Sequence, residues 1–200
     1  MTDRFDDLVA EAEAAPVDGW DFSWLDGRAS EQRPSWRYAH TMGKRMAHAA
    51  VGLDIQTGGG EVLADVPQLA ARTAATESWQ PNLARAATLL RPRGVTVVAA
   101  NDSEGLPFAD NTFDLVVSRH PVTTCWDEIS RVLAPGGTYF SQQIGPASVF
   151  ELVEFFLGPQ TAETRRRHPD DARAAAEAAG LHVVDLRMES LHTESATSAQ

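Results

Sequence analysis

The sequence has 200 residues, enough for one domain with a substantial core, and its 43% hydrophobic and 22% charged residues are typical of globular proteins. Its formal net charge is −11, which argues against a nucleic-acid partner because nucleic-acid-binding proteins present a positive surface. Short apolar runs, an N-terminus without signal-peptide layout and a single cysteine, Cys125, argue against a membrane span, secretion and an internal disulfide, which favours a cytoplasmic protein with small-molecule partners.

Residues 1–50 form a first segment in which helices and several aromatic residues are expected. A short helix is predicted over residues 3–14, which carry acids in their first turn, and a loop over residues 16–34. Ser35 suits the N-cap of a second helix, because the residues after it share one helical face. That face consists of Trp36, Ala39, Gly43, Met46 and Ala50.

From residue 51 the pattern changes to short apolar runs, which are typical of strands buried on both faces of a parallel sheet. Six strands are expected, at residues 50–55, 72–77, 95–100, 113–118, 137–144 and 181–188. Helices are expected between them, at residues 78–94, 123–137 and 168–180. In the second of these helices, Thr124 and Asp127 resemble a capping box. The alternation predicts a doubly wound α/β domain with a mostly parallel sheet over residues 51–190, followed by a disordered tail over 191–200.

The first expected strand runs into the glycine-rich stretch VGLDIQTGGGE, residues 51–61. In a doubly wound sheet a ligand binds at the carboxyl ends of the strands, beside this first turn. A nicotinamide or flavin site would need G-x-G-x-x-G, but Gly58 and Gly60 are followed by Leu63 at the third position. A phosphate-binding P-loop is excluded because no Gly-Lys-Ser/Thr follows.

The glycine-rich stretch is the first of four motifs that occur in order. Asp54 to Gly60 read DIQTGGG, Glu77 ends the second expected strand, and NDSEGLPFADNTFD follows the third at residues 101–114. The fourth motif, RVLAPGG at residues 131–137, precedes the fifth strand. Together the motifs resemble those of the class I S-adenosylmethionine (SAM)-dependent methyltransferases, in particular the small-molecule enzymes called type 11, over about residues 50–145.

The resemblance implies a Rossmann-like fold with SAM as the cofactor, and it implies roles for individual residues. Glu77 would accept hydrogen bonds from both ribose hydroxyls, which suits a carboxylate because it is acceptor-only. Asp102 would accept from the adenine amino group, the backbone N–H of Ser103 would lie near the ring, and Leu106, Pro107 and Phe108 would cover it. The other expected cofactor contacts are Asp54, Gln56, Thr57, Gly58, Gly60 and Ser118.

The sequence departs from the family at two points. Gln56 stands where the family has its first glycine, so this position either has a strained positive φ, at a cost of roughly 1–3 kcal/mol, or has a negative φ and directs its amide at the cofactor. The family's sheet has seven strands, the last of them antiparallel, and no segment here matches that last strand. The unpaired edge of the fifth strand would be a site for dimerisation, so a homodimer is one expected assembly.

Residues on the acceptor side are expected in the stretch SRHPVTT, residues 118–124. His120 is the candidate general base, with the alternatives that it caps the strand end or orients Arg119 or the acceptor. Arg119 would bind an acidic acceptor or form a local salt bridge. Trp24, Trp36 and Tyr38 would line an apolar acceptor pocket or pack the N-terminal helices on the sheet.

Three further observations bear on the site. The stretch VFELVEFFLG, residues 149–158, is apolar on more than one side and would complete the acceptor pocket, enter the core or form a dimer contact. Cys125 lies on the apolar stripe of its helix and is expected in the core. The six histidines show no metal-ligand spacing, so no metal site is expected.

The main hypothesis is SAM-dependent methyl transfer to an O, N or C centre of a small-molecule acceptor. The alternative is a non-catalytic SAM-binding relative that acts as a sensor or partner protein, which Gln56 and the missing strand favour. A nicotinamide oxidoreductase is a third hypothesis, and the absent fingerprint glycine argues against it.

Overall fold

The computed structural model describes residues 2–15, 23–101, 104–146, 148–159 and 167–195. The helices are α1 (Thr2–Glu13), α2 (Tyr38–Met46), α3 (Glu61–Ala64), α4 (Gln80–Leu90), α5 (Trp126–Val132), α6 (Phe150–Leu157) and α7 (Pro169–Ala178). The strands are β1 (Ala29–Glu31), β2 (Val51–Asp54), β3 (Arg72–Glu77), β4 (Thr96–Ala99), β5 (Phe113–Arg119), β6 (Leu133–Gln142) and β7 (Thr193–Ser195). None of the described helices is long and apolar enough to cross a membrane.

Strands β2 to β6 form one parallel sheet in the order β4-β3-β2-β5-β6. The chain starts at the central strand β2, moves outward through β3 to β4, and returns to β5 and β6 on the other side. This is the doubly wound topology, whose switch point lies between β2 and β5. The expected α/β fold is therefore confirmed. A separate antiparallel pair joins β1 to β7, with Ala29 opposite Ser195.

Apolar side chains cover both faces of the sheet and form two clusters. On one face α2 contributes Tyr38, Met42 and Met46, which are spaced four residues apart and so project from one side of the helix. On the other face α5 contributes Ile129 and Val132. Within β5, Leu115 and Val117 face one cluster and Val116 faces the other, which explains why these three successive residues are all apolar.

The prediction of a strand at residues 181–188 is wrong. Residues 181–192 have no regular secondary structure, and the side chains of Val184 and Met188 are 81% and 65% exposed. An extended segment becomes a strand only where another strand accepts its backbone hydrogen bonds, and no described strand lies beside this one. The β-branched pattern of the segment could not reveal that missing neighbour.

Two expected helix caps are also wrong. The backbone N–H of Arg37 donates to the carbonyl of Pro34 (3.1 Å), so residues 34–37 form a turn and α2 begins only at Tyr38 instead of after Ser35. Helix α5 begins after Cys125, and no side chain caps it. Cys125 takes the N-cap position, so the capping box expected from Thr124 and Asp127 does not form.

Helix α6 exposes much of its apolar surface. The side chains of Phe155, Phe156 and Leu157 are 80%, 71% and 72% exposed, so this helix lies outside the core of the described chain. The acceptor pocket and a dimer contact stay as hypotheses for the stretch 149–158.

Asp114 fixes the start of the central strand. It lies on β5, and its Oδ2 accepts hydrogen bonds from the backbone N–H groups of Ala50 (2.9 Å) and Val51 (2.8 Å). The carboxylate therefore joins the entry of β2 to its neighbour β5 at the edge of the sheet opposite the glycine-rich turn.

We expect Asp114→Ala to lower the free energy of unfolding by about 1–2 kcal/mol, because two backbone donors lose a charged acceptor. Asp114→Asn should cost less, since its amide oxygen can still accept. Urea denaturation of the three proteins measures both differences. Equal stability of the wild-type and alanine proteins would contradict this role.

Candidate functional site

The carboxyl ends of four parallel strands bring the predicted site residues to one edge of the sheet. Asp54 is the last residue of β2, Glu77 of β3, Arg119 of β5 and Gln142 of β6. In doubly wound sheets this edge is where ligands bind. Three or more His, Cys, Asp or Glu side chains arranged to hold a metal ion do not occur among the described residues.

The glycine-rich turn after β2 is a tight corner with three positive φ angles, at Gln56 (56°), Gly58 (65°) and Gly60 (86°). Its backbone is fixed by the N–H of Thr57, which donates to the carbonyl of Thr76 on β3 (2.9 Å). A Cβ on Gly60 would lie 2.9 Å from a methyl carbon of Leu90 on α4, so glycine is required for both its φ and its close packing.

Glu77 connects the corner to the end of β3. Its buried carboxylate accepts from the backbone N–H of Gly58 (2.8 Å) through one oxygen and from those of Ser78 and Trp79 (both 2.9 Å) through the other. A carboxylate offers about four acceptor positions, so roughly one remains for a ligand.

Asp54 lies beside Glu77 and is also buried. Burial raises its pKa to about 7, the hydrogen bond from the Thr57 hydroxyl (2.6 Å) opposes that rise, and the charge of Glu77 adds to it. Near neutral pH this side chain therefore exchanges a proton with solvent, unlike an exposed aspartate.

Gln56 has positive φ, and its side chain joins the corner to the loop after β5. The amide Nε2 donates to the carbonyl of Thr123 (2.6 Å), and Oε1 accepts from the backbone N–H of Val122 (2.7 Å). We call this pair of bonds the Gln56 clamp. The residue that replaces the family's glycine thus uses its amide to hold a second loop over the sheet edge.

A small cavity of about 20 Å³ lies under the clamped loop. This volume holds about one water molecule and is far smaller than an adenine ring. Its wall includes the buried Ser118, whose hydroxyl lies 2.6 Å from that of Tyr139. The other main wall residues are Gln56, Asn101, Glu104, Leu106, Thr123, Cys125 and Ile129.

The segment 104–110 on one side of this cavity is held by Arg131, the first residue of the RVLAPGG motif. The Arg131 guanidinium donates to the carbonyls of Leu106 (2.9 Å) and Phe108 (2.8 Å) and pairs with Asp110 and Glu128 (both 2.7 Å). Glu128 in turn accepts from the backbone N–H of Leu106 (2.6 Å), and its pairing with Arg131 lowers the Glu128 pKa. The sequence indicates Arg131 only as a motif residue. That its side chain holds segment 104–110 is visible only in the structure.

The three residues expected over the adenine differ in their surroundings. Leu106 lines the cavity, whereas Phe108 packs edge-on against Phe113 (5.0 Å between centroids) and belongs to the core beside α5. Pro107 is exposed. Phe108 therefore anchors the segment, and Leu106 is the apolar side chain that faces the cavity.

His120, the candidate base, has a φ of 53° and is half-buried. Its backbone N–H donates to the carbonyl of Gln142 (2.7 Å), and its Nε2 lies 2.9 Å from the Gln142 amide nitrogen. The Trp36 indole N–H donates to the Gln142 amide oxygen (2.9 Å). Burial lowers the His120 pKa, the neighbouring Arg119 lowers it further, and Glu31 opposes both.

The remaining acceptor-side candidates, Tyr38, Trp24 and Arg119, have different surroundings. Tyr38 is buried, stacks on Phe140 (5.0 Å), and its hydroxyl has no hydrogen-bond partner among the described residues. Trp24 lies instead with Arg28, whose guanidinium is 4.5 Å from the ring centroid, and with Glu11 of α1. Arg119 is exposed at the sheet edge.

Two candidate residues, Asp102 and Ser103, lie outside the described residues. Cys125, expected in the core, is only half-buried because it precedes α5 and lines the cavity. The contribution of Gln142 was not foreseen, since neither Gln142 nor Trp36 belongs to a motif and their proximity to His120 comes from the sheet.

Comparison with known proteins gives a family match for part of the chain and a shared fold. Residues 53–141 match the family model for a methyltransferase domain. A SAM-dependent methyltransferase from Aquifex aeolicus is 17% identical, with 80% of this chain and 83% of that chain covered at a TM-score of 0.56. A second solved structure is the complex of the Haloferax volcanii Trm112 methyltransferase activator with a protein assigned as a methyltransferase. The matched chain is 21% identical, and the alignment covers 75% of this chain and 70% of that chain at a TM-score of 0.58.

A third solved structure, the [4+2]-cyclase SpnF, is 22% identical and covers 76% of this chain and 61% of that chain at a TM-score of 0.60. No curated protein matches the sequence. At these identities the solved structures show the fold alone. Together with the family match over residues 53–141, the shared fold confirms the resemblance to class I methyltransferases.

Substitutions at Gln56 separate the clamp from the backbone strain. Gln56→Ala removes the clamp and keeps a side chain at positive φ, whereas Gln56→Gly removes the clamp and relieves the strain. We expect the glycine variant to be about 1 kcal/mol more stable than the alanine variant, because glycine alone adopts this φ without steric cost. Thermal or urea unfolding measures the order. An alanine variant as stable as the glycine variant would show that Gln56 is unstrained.

The raised pKa of Asp54 predicts a pH-dependent stability. The native state keeps a proton that the unfolded chain releases near its ordinary pKa of 3.8, so this stabilisation is complete below about pH 4 and is lost as pH rises to about 7. Asp54→Asn cannot titrate, and its amide oxygen can still accept from Thr57.

The wild-type free energy of unfolding, relative to that of Asp54→Asn, should therefore fall by on the order of a few kcal/mol between pH 4 and 7. Urea denaturation across this range measures the difference. A difference that stays constant would mean that Asp54 is already ionised in the native protein at pH 4.

Proposed function

We propose that this protein, whose residues 53–141 match the family model for a methyltransferase domain, transfers a methyl group from SAM to a small-molecule acceptor. The observation that carries the proposal is the meeting of the glycine corner, Asp54 and Glu77 at one sheet edge, beside the cavity under the Gln56 clamp. Two buried acids beside a corner of bare backbone suit a ligand that carries hydroxyl groups and positive charge.

The residues present fit such a cofactor in their chemistry. Glu77 already binds the corner through Gly58 and keeps an acceptor position, so it would receive the ribose hydroxyls. Ser118 and Leu106 would contact the adenine, and the resemblance adds Asp102 and Ser103. Because the cavity holds only about 20 Å³, entry of the adenine would require the clamped loop and segment 104–110 to move apart.

When bound, SAM supplies a methyl group already activated by its sulfonium. The work left to the protein is to hold the acceptor in line with that methyl and to exclude water, a contribution worth effective molarities on the order of 10⁵–10⁸ M. Arg119 and His120 lie at the carboxyl end of β5, Trp36 bonds Gln142 beside His120, and Tyr38 stacks on Phe140 of β6. We propose that these four residues contact or shape the acceptor. Trp24 is the weaker candidate because it lies with Arg28 and Glu11.

A second candidate function is SAM binding without catalysis, as a sensor or partner protein. The five-stranded sheet with β6 at its edge and the exposed apolar side chains of α6 support it, because both offer surface to another protein or a second copy. The cyclase among the structural neighbours is a reminder that this fold also hosts other reactions. A cytoplasmic location is proposed with either function, on the single cysteine.

Isothermal titration calorimetry with SAM, S-adenosylhomocysteine and NAD tests the proposal. We expect both adenosyl sulfur compounds to bind and NAD to give no heat. Binding of NAD alone would overturn the assignment. Incubation with SAM carrying a labelled methyl group and a panel of small acids, amines and phenols then separates the two functions, because a sensor would bind and transfer nothing.

Glu77→Gln tests the ribose contact. Its amide oxygen can still accept from Ser78 and Trp79, but its NH₂ group then faces the Gly58 N–H and no longer accepts from ribose. We expect S-adenosylhomocysteine to bind about 10–100-fold more weakly, which corresponds to roughly 1–3 kcal/mol. Glu177→Gln, the same change on the exposed face of α7, is the control and should bind like the wild-type protein. Unchanged affinity of Glu77→Gln would mean that the ribose lies elsewhere.

A further inference from the structure

The ends of β5 and β6 hold His120 by two contacts from a single residue. The backbone carbonyl of Gln142 accepts from the His120 N–H (2.7 Å), and the Gln142 side-chain nitrogen lies 2.9 Å from His120 Nε2. These two contacts fix both the main chain and the ring of a residue whose φ of 53° is unusual for a side chain with a Cβ.

Trp36 decides which way the Gln142 amide faces. An indole N–H can only donate, so the atom of Gln142 that lies 2.9 Å from Trp36 Nε1 must be the carbonyl oxygen. The NH₂ group of Gln142 therefore faces His120 Nε2. Two donors cannot bond each other, so Nε2 must be the unprotonated nitrogen that accepts, and a neutral ring then carries its proton on Nδ1.

Two of three further influences on the His120 ring also favour its neutral form. Burial and the adjacent Arg119 on β5 disfavour the charged ring, and Glu31 of β1 favours it. A proton on Nε2 would face the Gln142 NH₂ group directly. The lone pair that a general base needs is thus already occupied by an amide donor.

We propose that Gln142 is a positioning residue that holds His120 as the neutral Nδ1–H tautomer, so that His120 meets the acceptor as a hydrogen-bond donor and not as its base. This rests on the proposed methyl transfer. It implies an acceptor that carries a hydrogen-bond-accepting group near His120, and Arg119 next to it favours a carboxylate. Any proton that the acceptor loses leaves to another group.

The tautomer can be read directly by ¹H–¹⁵N NMR of the imidazole rings in the ligand-free protein, with His120 identified by its absence in His120→Asn. We expect the unprotonated nitrogen to be Nε2 and the pKa of His120 to lie below its ordinary value. Because no cofactor is present, this result is independent of whether SAM binds in the calorimetric experiment. An Nε2–H tautomer in the wild-type protein would overturn the proposal.

Gln142→Glu is the sharpest variant, because it has the same shape and replaces the NH₂ donor by an oxygen acceptor. Its ring should become Nε2–H, with a His120 pKa higher than in the wild-type protein, because the new carboxylate favours the charged ring. Gln143→Glu adds the same charge to the next residue, whose side chain contacts the Ser141 hydroxyl (3.4 Å) and not His120, and should leave the tautomer unchanged. Trp36→Phe removes the group that orients the amide and should produce a mixture of tautomers. A Gln142→Glu protein with the wild-type tautomer would also overturn the proposal.

Discussion

The site depends on one buried carboxylate. Glu77 accepts three backbone N–H groups, one from the glycine corner and two from the turn that starts α4. A buried carboxylate must have such donors, since the cost of leaving water is offset only by hydrogen bonds or charges. Because its two oxygens serve two different turns, the ends of β2 and β3 keep a fixed relation. The same acid that organises the unliganded corner is the group with an acceptor position left for a ligand.

Two strained residues mark the limits of the site, and a glutamine amide ties each of them to another segment. Gln56 and His120 both have positive φ, a conformation that costs a residue with a Cβ on the order of 1 kcal/mol. Gln56 uses its own amide to hold the loop after β5, and His120 is held by the amide of Gln142 on β6. Glutamine suits both places because its amide donates and accepts at once.

Much of the fold could be predicted from sequence because its signals are local. The short apolar runs of β2 to β6 reflect burial on both faces, and the positions of Asp54, Gly60 and Glu77 follow from where those strands end. The predictions that failed concern features that depend on other segments of the chain. Residues 181–188 have the composition of a strand but no adjacent strand among the described residues, and α5 begins after Cys125 without a cap from Thr124. The contact of Trp36, Gln142 and His120 joins three distant parts of the chain and leaves no pattern in any one of them.

The small antiparallel pair of β1 and β7 has a consequence for local unfolding of the molecule. It joins Ala29–Glu31 to Thr193–Ser195, and the N–H of Gln32 adds a bond to the carbonyl of His192 (3.0 Å). Closing a loop of this length costs entropy that an assembled central sheet can offset, so we expect this ladder to form after that sheet. It is also short and joins only two of the described strands, so we expect its amide hydrogens to exchange sooner than those of the parallel sheet. Residues 32–36, which end in Trp36, directly follow β1. Opening of the β1–β7 ladder would therefore loosen Trp36, and with it the Gln142 amide that contacts His120, while the parallel sheet stays intact.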